Sequence, residues 1–499
     1  MAYTATETAA ISVQSYRTKE GTQKPVPWEI VKYEYSDDNG ATWTDNGTTM
    51  PAWLTSLTES GEGSTSSTSI GTATVDADSY ITDLKAARDN QLKNATAKSD
   101  YDLSQGGETA NCYLISSPGT YKIPLIYGNA RKADGSANTV CFNNASPFVN
   151  YKGTAITDMW LKIDGTPTSA ALVWSDISED IVTSPAIDSD FLTFEIKKEN
   201  LEQGNAVVAV KDAEGVVMWS WHLWFAPESA LNTIAVTNYQ NVVYNFTEEN
   251  LGSKCTEGTI STYSVNRQIR VTIQQTVGKS SGKKEAQFVI NQTPGSVKEF
   301  ADAKFQFGRK DALPGVDDAN VSGSFSIVSG KTNYQTAIKN PDKFYTYGSG
   351  YYDWCSTTYN NAWSVDNTAT DGNDYAVVKS VYDPCPVGFH MPASNAFTGF
   401  TTTGSGASTS SQFNVDGSFA KGWNFYSYGK QGASEAERTS SSTIYFPAVG
   451  CRLSSDGTLY YVGTYGFYWS AIPYGDGRSL SLDFYASPVT PLSHVNRAG

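Results

Sequence analysis

Short runs in which apolar and polar residues alternate make up most of the chain. Trp28–Ser36 (WEIVKYEYS), residues 205–210 and 216–225 on either side of an Asp-Ala-Glu-Gly turn, and residues 479–485 (SLSLDFY) are clear examples. Clusters of Gly, Asn, Asp and Ser separate the runs, and this punctuation with a period of two is typical of β-strands joined by tight turns. Only residues 80–97 have the spacing of a helix. The chain is therefore predicted to be mostly β.

The strand runs fall into four regions, which agrees with about three or four domains for 499 residues. Residues 1–100, 101–233 and 234–297 are each predicted to form a β-sandwich, with an Ig-like fold as the simplest account of the first and third. Residues 298–499 contain few long strands but many Tyr, Trp and Phe residues. Because aromatic side chains supply core, this last region is predicted to be a compact, loop-rich domain rather than a disordered tail.

Composition narrows the classes of function. The chain has 36 Lys and Arg residues against 51 Asp and Glu residues, a net charge of −15, which argues against nucleic-acid binding. With three His residues in all, imidazole chemistry is scarce, and neither a metal site nor a cofactor is predicted. No run of 18 apolar residues predicts a transmembrane segment.

The first ten residues, MAYTATETAA, lack the basic and apolar parts of a signal peptide. Two expectations follow. Either Met1 precedes the mature region of an exported lipoprotein, or the protein leaves its cell without a signal, as a phage structural protein does.

The cysteines and the central histidine do not form a metal-ligand pattern. Six Cys residues stand far apart, unlike zinc ligands. Cys355 and Cys385 both lie in the last region, and a disulfide between them, closing a loop of about 30 residues, is predicted. His222 has no second ligand at a suitable spacing, so a structural role is predicted. Residues 371–374 (DGND) are predicted to form a solvated turn rather than a calcium loop.

The first half of the chain resembles modules of Bacteroidales surface proteins. Four segments match a module of outer-surface lipoproteins and pilus-associated proteins, and Trp53-Leu54 followed by residues 61–66 resembles the BACON module. The resemblance implies a cell-surface stalk without indicating any chemistry. The four segments are residues 111–114 (NCYL), 119–124 (GTYKIP), 204–212 (GNAVVAVKD) and 219–222 (WSWH).

Residues 381–400 (VYDPCPVGFHMPASNAFTGF) contain a Pro-flanked Cys and then a helix-start signal with Ser394 as the expected N-cap. This segment resembles the major paralogous domain of Fibrobacter and Bacteroidales surface proteins, with residues 305–315 and 353–363 as flanking parts. The resemblance implies a C-type lectin-like α+β fold for residues 298–499.

The C-terminal tail resembles the variable region of proteins diversified by retroelements, which use the same fold. The matching segments are residues 466–470 (GFYWS), 482–484 (LDF), 489–491 (VTP) and 496–499 (NRAG). The family continues into a closing strand after this Gly, so the expectation is either a truncated terminus or a last strand not supplied by this chain. The resemblance implies that the scaffold is held by Trp469, Leu480, Leu482, Phe484, Val489, Pro491 and Arg497.

The alternation in residues 479–485 places the three apolar side chains on one face of a strand and the polar ones on the other. The polar face is predicted to be presented to a ligand, with nearby tyrosines at its rim. The predicted ligand-binding residues are Tyr460, Tyr461, Tyr465, Arg478, Ser479, Ser481, Asp483, Tyr485, Ser487, Thr490, Ser493, His494 and Asn496.

Enzyme activity is not predicted. Formylglycine-generating enzymes share the lectin-like scaffold but need paired catalytic cysteines, whereas Cys385 lies between prolines and Cys451 lies beside Arg452. The tripeptides with which C-type lectins bind calcium and sugar do not occur.

The leading hypothesis is an extracellular adhesin on the outer membrane or a pilus tip, which binds a protein or glycan on a host or microbial surface. A lipid anchor is expected in the precursor if the protein is a lipoprotein. The alternatives are a structural component of a pilus or phage virion, with other subunits as partners, and a glycan-binding accessory of a polysaccharide-utilisation system.

Overall fold

A computed structural model describes residues 7–66, 69–75, 81–143, 146–261, 263, 265–278, 282–347 and 352–499. The protein is mostly β, as predicted, with many antiparallel sheets. Its three α-helices in the described residues are α1 (Leu84–Asn94), α2 (Tyr334–Lys339) and α3 (Glu435–Thr439). Helix α1 lies within the predicted helical stretch; Tyr80, where that stretch begins, lies outside the described residues.

The predicted runs at residues 28–36, 205–210, 216–225 and 479–485 correspond to four of the strands in the structure. The strands of the described residues are β1 (Glu7–Ser12), β2 (Tyr16–Lys19), β3 (Thr22–Pro25), β4 (Trp28–Ser36), β5 (Thr44–Asp45), β6 (Leu54–Leu57), β7 (Ser60–Gly61), β8 (Ser69–Val75), β9 (Ile81–Asp83), β10 (Lys98–Asp102), β11 (Cys112–Ile115), β12 (Gly119–Pro124), β13 (Ser169–Ser175), β14 (Thr183–Asp188), β15 (Phe191–Ile196), β16 (Gly204–Lys211), β17 (Val217–Phe225), β18 (Thr233–Thr237), β19 (Val243–Thr247), β20 (Cys255–Ser261), β21 (Arg267–Gln275), β22 (Glu285–Gln292), β23 (Ser296–Phe300), β24 (Ser322–Gly323), β25 (Ser326–Val328), β26 (Lys343–Tyr345), β27 (Val415–Asp416), β28 (Gly422–Tyr426), β29 (Thr443–Pro447), β30 (Cys451–Arg452), β31 (Leu459–Tyr460), β32 (Gly466–Tyr474), β33 (Arg478–Phe484) and β34 (Val489–Asn496).

The chain forms two compact units, each built from two segments. The smaller unit contains Met1–Leu84 and Glu257–Lys298, and the larger unit contains Lys85–Thr256 and Glu299–Gly499. This grouping differs from the four consecutive domains predicted from the sequence. The predicted third domain, residues 234–297, is divided between the units, because its strands find partners that lie far away in the chain.

The smaller unit is centred on the antiparallel pairing of β4 with β21. Their register runs from Trp28 opposite Gln275 to Ser36 opposite Gln268. Trp28 and Tyr33 from β4 are buried, as are Ile269 and Val271 from β21. The hydrophobic pattern predicted both strands, but strand periodicity contains no information about which strand is the partner.

The larger unit contains two sheets with a common core, in the orders β10-β12-β15-β14 and β11-β17-β16-β13-β24. The predicted hairpin is present: β16 and β17 pair from Gly204 opposite Phe225 to Lys211 opposite Val217. Trp219 and Trp221 are buried, which confirms their predicted core positions.

The C-terminal half of the chain shares this core. Tyr382 stacks on Trp219 at 6.1 Å between ring centroids and on Tyr334 at 4.9 Å. Asn111 Nδ2 donates hydrogen bonds of 2.8 and 2.9 Å to the backbone carbonyls of Val381 and Asp383. The Asn-Cys-Tyr segment and the Asp-Pro-Cys-Pro segment, predicted to lie in separate domains, therefore hold each other in place.

The predicted helix at Ser394 is a 3-10 helix, Ser394–Phe400, in which every residue is buried. Ala393, not Ser394, occupies the cap position, so the predicted cap is wrong. The Ser394 hydroxyl instead accepts a 3.0 Å hydrogen bond from the backbone N–H of Asn373. The Ig-like and lectin-like assignments stay predictions.

Candidate binding surface

The C-terminal strands β32, β33 and β34 form one antiparallel sheet in that order. Gly466 lies opposite Phe484, and Ser481 lies between Trp469 and Ser493. The predicted scaffold side chains are buried, apart from Trp469, which is half-buried. Those buried are Leu480, Leu482, Phe484, Val489, Pro491 and Arg497.

The opposite face of β33 is also covered. Ser479 and Ser481 are buried, contrary to the predicted exposure. Ser479 Oγ accepts a 3.0 Å hydrogen bond from Arg497 Nε, and Ser481 Oγ donates one of 2.7 Å to Asp483 Oδ1. The alternation was correct, but buried partners within the chain satisfy the polar face, so these serines are not available to a ligand.

Asp483 is half-buried, and its carboxylate hydrogen-bonds to Ser481 within the sheet. Burial raises the pKa of Asp483 to about 6, although the hydroxyls of Ser493 and Ser481 oppose the shift. The folded protein therefore disfavours the charged carboxylate.

Asp483→Asn is expected to change the pH dependence of stability. Because the folded pKa lies above the ordinary value, the wild-type protein loses stability as pH rises from about 4 to 6 and does not regain it above that range. The asparagine variant should lack this loss, so its stability relative to wild type should increase by about 2 kcal/mol between pH 4 and pH 8. Urea unfolding at both pH values measures the difference, and an unchanged difference would contradict the prediction.

Three predicted rim tyrosines and Tyr485, from the predicted binding face, form a continuous aromatic surface, called here the tyrosine patch: Tyr460, Tyr461, Tyr465 and Tyr485. Ring centroids are 4.1 Å apart for Tyr460 and Tyr461, 4.3 Å for Tyr461 and Tyr465, and 4.5 Å for Tyr465 and Tyr485. Tyr460 is 49% exposed and Tyr461 is 41% exposed, whereas the other two are half-buried. Desolvation and the neighbouring Tyr485 and Tyr461 raise the pKa of Tyr465, so this phenol is neutral at physiological pH.

Phe467 was not among the predicted contact residues, and it stacks on Tyr465 with centroids 5.9 Å apart. Its signal was present, because Tyr465 and Phe467 are two residues apart around the start of β32 and so share a face. Phe467 extends the aromatic surface of the patch onto the sheet.

Tight backbone geometry holds the patch. Tyr461 has a left-handed conformation, with φ of 63°, and its carbonyl accepts hydrogen bonds from the backbone N–H groups of Thr464 and Tyr465, each 3.0 Å long. Gly450, with φ of 63°, passes so close that a Cβ there would lie 2.1 Å from the Tyr460 carbonyl oxygen. A non-glycine residue in this left-handed region is uncommon and marks a conformation that its surroundings impose.

A cavity of about 390 Å³ adjoins the patch and is lined by Tyr460, Tyr461 and Val462 on one side. Lys421 and Glu299 also line it, and their side chains form an ion pair of 2.7 Å. Lys421 is a second residue with positive φ, at 57°. The patch therefore combines exposed rings with charged groups of both signs that can hydrogen-bond to a ligand.

Arg478 begins β33, about 20 Å from Tyr485 by strand rise, and His494 lies on the neighbouring β34 opposite Leu480. Arg478 donates to both carboxylate oxygens of Asp476, at 2.9 and 2.8 Å. His494 stacks on Tyr474 with centroids 4.5 Å apart, and partial burial together with the charge of Arg478 lowers its pKa. These predicted contact residues form a separate cluster, not one surface with the tyrosines.

The remaining predicted contact residues are dispersed. Ser487, beside Tyr485, is exposed and donates a 2.7 Å hydrogen bond to the Ser408 carbonyl. Thr490 and Ser493 are half-buried on β34, and Asn496 donates to Ser454 Oγ at 2.9 Å. Only Ser487 adds to the tyrosine patch.

The cysteines and the histidine considered as candidate functional residues have structural roles. Cys355 and Cys385 are buried as free thiols, so the predicted disulfide between them is wrong. His222 is buried with Nε2 2.9 Å from Asn205 Oδ1, and burial lowers its pKa to about 3, so it is neutral and structural as predicted.

In the loop of residues 371–374, the carboxylate of Asp374 is hydrogen-bonded to side chains from other segments of the chain. Asp374 accepts hydrogen bonds of 2.7 Å from Asn238, Tyr244 and Asn395. Within the described part of the chain, no group of three or more His, Cys, Asp or Glu side chains could hold a metal ion.

No family model, curated protein or solved structure matches the chain. None of the helices in the described ranges has the length and apolar character needed to cross a bilayer.

Proposed function

We propose that the protein is an extracellular adhesin that binds a protein or glycan through the tyrosine patch. The observation that carries this proposal is the contiguous set of exposed and half-buried tyrosine rings, with centroids 4.1–4.5 Å apart, beside the left-handed conformation of Tyr461. Tyrosine provides a large amphipathic contact at low cost in conformational entropy, and for this reason it dominates antibody binding sites.

The surroundings of the patch favour a polar ligand. Lys421 and Glu299 provide donors and acceptors beside the rings, and the tyrosine hydroxyls add more. Such a mixture suits the polar hydroxyls and apolar faces of a sugar, or the side chains of a protein surface. A cell-surface or pilus-tip location is part of the proposal and rests on the family resemblances of the sequence.

If the tail is diversified, as its resemblance implies, useful variation should fall at exposed positions. Ser487 is exposed and Tyr485 is partly exposed, whereas Ser479 and Ser481 are buried. Variation at the two buried serines would act on stability before it acted on ligand choice.

Tyr485→Ala is expected to weaken ligand binding by about 2 kcal/mol or more, because interfaces concentrate their energy in a few aromatic residues. Its melting temperature should change little, since the ring packs mainly on Tyr465 at the surface. Binding of the full chain to a mammalian glycan array and to immobilised extracellular-matrix proteins, before and after substitution, measures the effect.

Two matched variants separate binding from folding. Ile163→Ala removes an apolar side chain that is 59% exposed outside the patch and lines neither cavity, and it should leave binding unchanged. Leu482→Ala removes a fully buried side chain and should lower stability by about 2–5 kcal/mol. Equal binding by wild type and Tyr485→Ala to every ligand that the wild type recognises would refute the proposal.

A further inference from the structure

The larger unit contains a second cavity, of about 830 Å³, which none of the four tyrosines of the patch lines. This volume is in the range of small-molecule binding sites. Its wall is largely aromatic and aliphatic, and its lining includes the exposed apolar side chains Val243 and Tyr375. The apolar wall includes Phe246, Phe305, Phe389, Met391, Tyr468 and Trp469.

The ionisable side chains that line this cavity include the buried pair Asp302 and Lys304. Asp302 is 3% exposed, and neither of its carboxylate oxygens has a hydrogen-bond partner at bonding geometry. Ser253 and Asn250 are close enough to favour its charged form, but burial outweighs them and raises the pKa of Asp302. Lys304 Nζ donates one hydrogen bond, of 2.7 Å, to the Val449 carbonyl, and burial lowers its pKa.

A buried carboxylate without donors is unfavourable, and buried polar groups in folded proteins are nearly always paired. Ser253 and Asn250 lie near the Asp302 carboxylate, but neither reaches it at hydrogen-bond geometry. A ligand that brings a donor into the cavity would remove this cost and bury its own apolar surface at the same time.

We propose that this cavity binds a predominantly apolar small molecule whose hydroxyl group bridges Asp302 and Lys304. A hydroxyl can donate to the carboxylate and accept from the ammonium together. An ammonium group on the ligand would face the positive charges of Lys304 and the nearby Arg452, and a carboxylate would face Asp302. This inference does not depend on the function proposed for the tyrosine patch.

Isothermal titration of the full chain with two probes tests the proposal. 2-Naphthol carries the hydroxyl, and 2-methoxynaphthalene has nearly the same apolar body without a donor. The wild-type protein is expected to bind 2-naphthol at least tenfold more tightly. Equal affinities, or no saturable binding of 2-naphthol, would overturn the proposal, and so would tighter binding of 2-naphthoic acid than of 2-naphthol.

Two variants test whether Asp302 causes the preference for 2-naphthol over 2-methoxynaphthalene. Asp302→Leu removes the acceptor at similar volume and should bring the two affinities within about twofold of each other. Asp416→Leu replaces an exposed aspartate that does not line the cavity and should keep the preference. Thermal unfolding checks that each variant is folded. If Asp302→Leu does not fold, the comparison of the two probes on the wild-type protein still tests the proposal. A preference that survives in folded Asp302→Leu would overturn the assignment to Asp302.

Discussion

Replacing Trp219 by alanine is expected to lower the free energy of unfolding of the larger unit by about 3–5 kcal/mol. The indole is fully buried, meets the ring of Tyr127 edge-on at 5.0 Å and stacks on Tyr382. Its Nε1 donates a 3.2 Å hydrogen bond to Asn111 Oδ1. Alanine would leave a cavity where the first and second halves of the chain meet, and the Asn111 acceptor would lose its donor.

Urea unfolding followed by circular dichroism measures this loss. Trp219→Phe keeps most of the ring volume and should cost less than alanine. Ile163→Ala removes a side chain that is 59% exposed and should change stability by at most about 0.5 kcal/mol. A loss below about 1 kcal/mol for Trp219→Ala would show that the site collapses around the missing ring.

Trp221→Ala is expected to behave like Trp219→Ala, because Trp221 is buried in the same core.

Arg497→Met is also expected to lower stability by about 3–5 kcal/mol, since it breaks a buried charge network from one side. Arg497 is 1% exposed. Its Nε donates 3.0 Å hydrogen bonds to the Arg478 carbonyl and Ser479 Oγ, and Nη1 donates one of 2.7 Å to the Tyr359 carbonyl. Nη1 also lies 3.7 Å from the buried carboxylate of Asp353, which would lose its counter-ion.

A double-mutant cycle with Asp353→Asn isolates the charge effect. If the uncompensated carboxylate causes much of the loss, Arg497→Met should cost clearly less when Asp353 is already neutral. Identical losses in both backgrounds would assign the whole effect to the hydrogen bonds and packing of Arg497.

Local patterns in the sequence predicted the local structure well. The period of two located β4, β16, β17 and β33, because each strand exposes its alternation within a few residues. It could not identify β21 as the partner of β4, since that pairing depends on side chains far apart in the chain. For the same reason the four predicted domains differ from the two units.

The candidate site was predicted in part. Tyr460, Tyr461 and Tyr465 were expected at the rim and Tyr485 on the binding face, and the four rings form one continuous patch. Ser481 was expected to contact ligand and is buried, because a strand pattern separates two faces but does not show whether another part of the chain covers one of them. The buried carboxylate of Asp302 had no signal in the sequence, since its neighbours come from distant segments.

The pairing of β4 with β21 also has a consequence for folding during synthesis, because β4 is made before its partner strand. About 230 residues separate the two strands. At a synthesis rate of about 5–20 residues per second, β4 emerges from the ribosome about 10–50 s before β21 exists. During that interval a strand rich in aromatic and β-branched residues has an unpaired edge, the kind of surface that joins neighbouring chains. β4 is thus made long before its partner strand, and the nascent chain needs protection at this strand until β21 has been made.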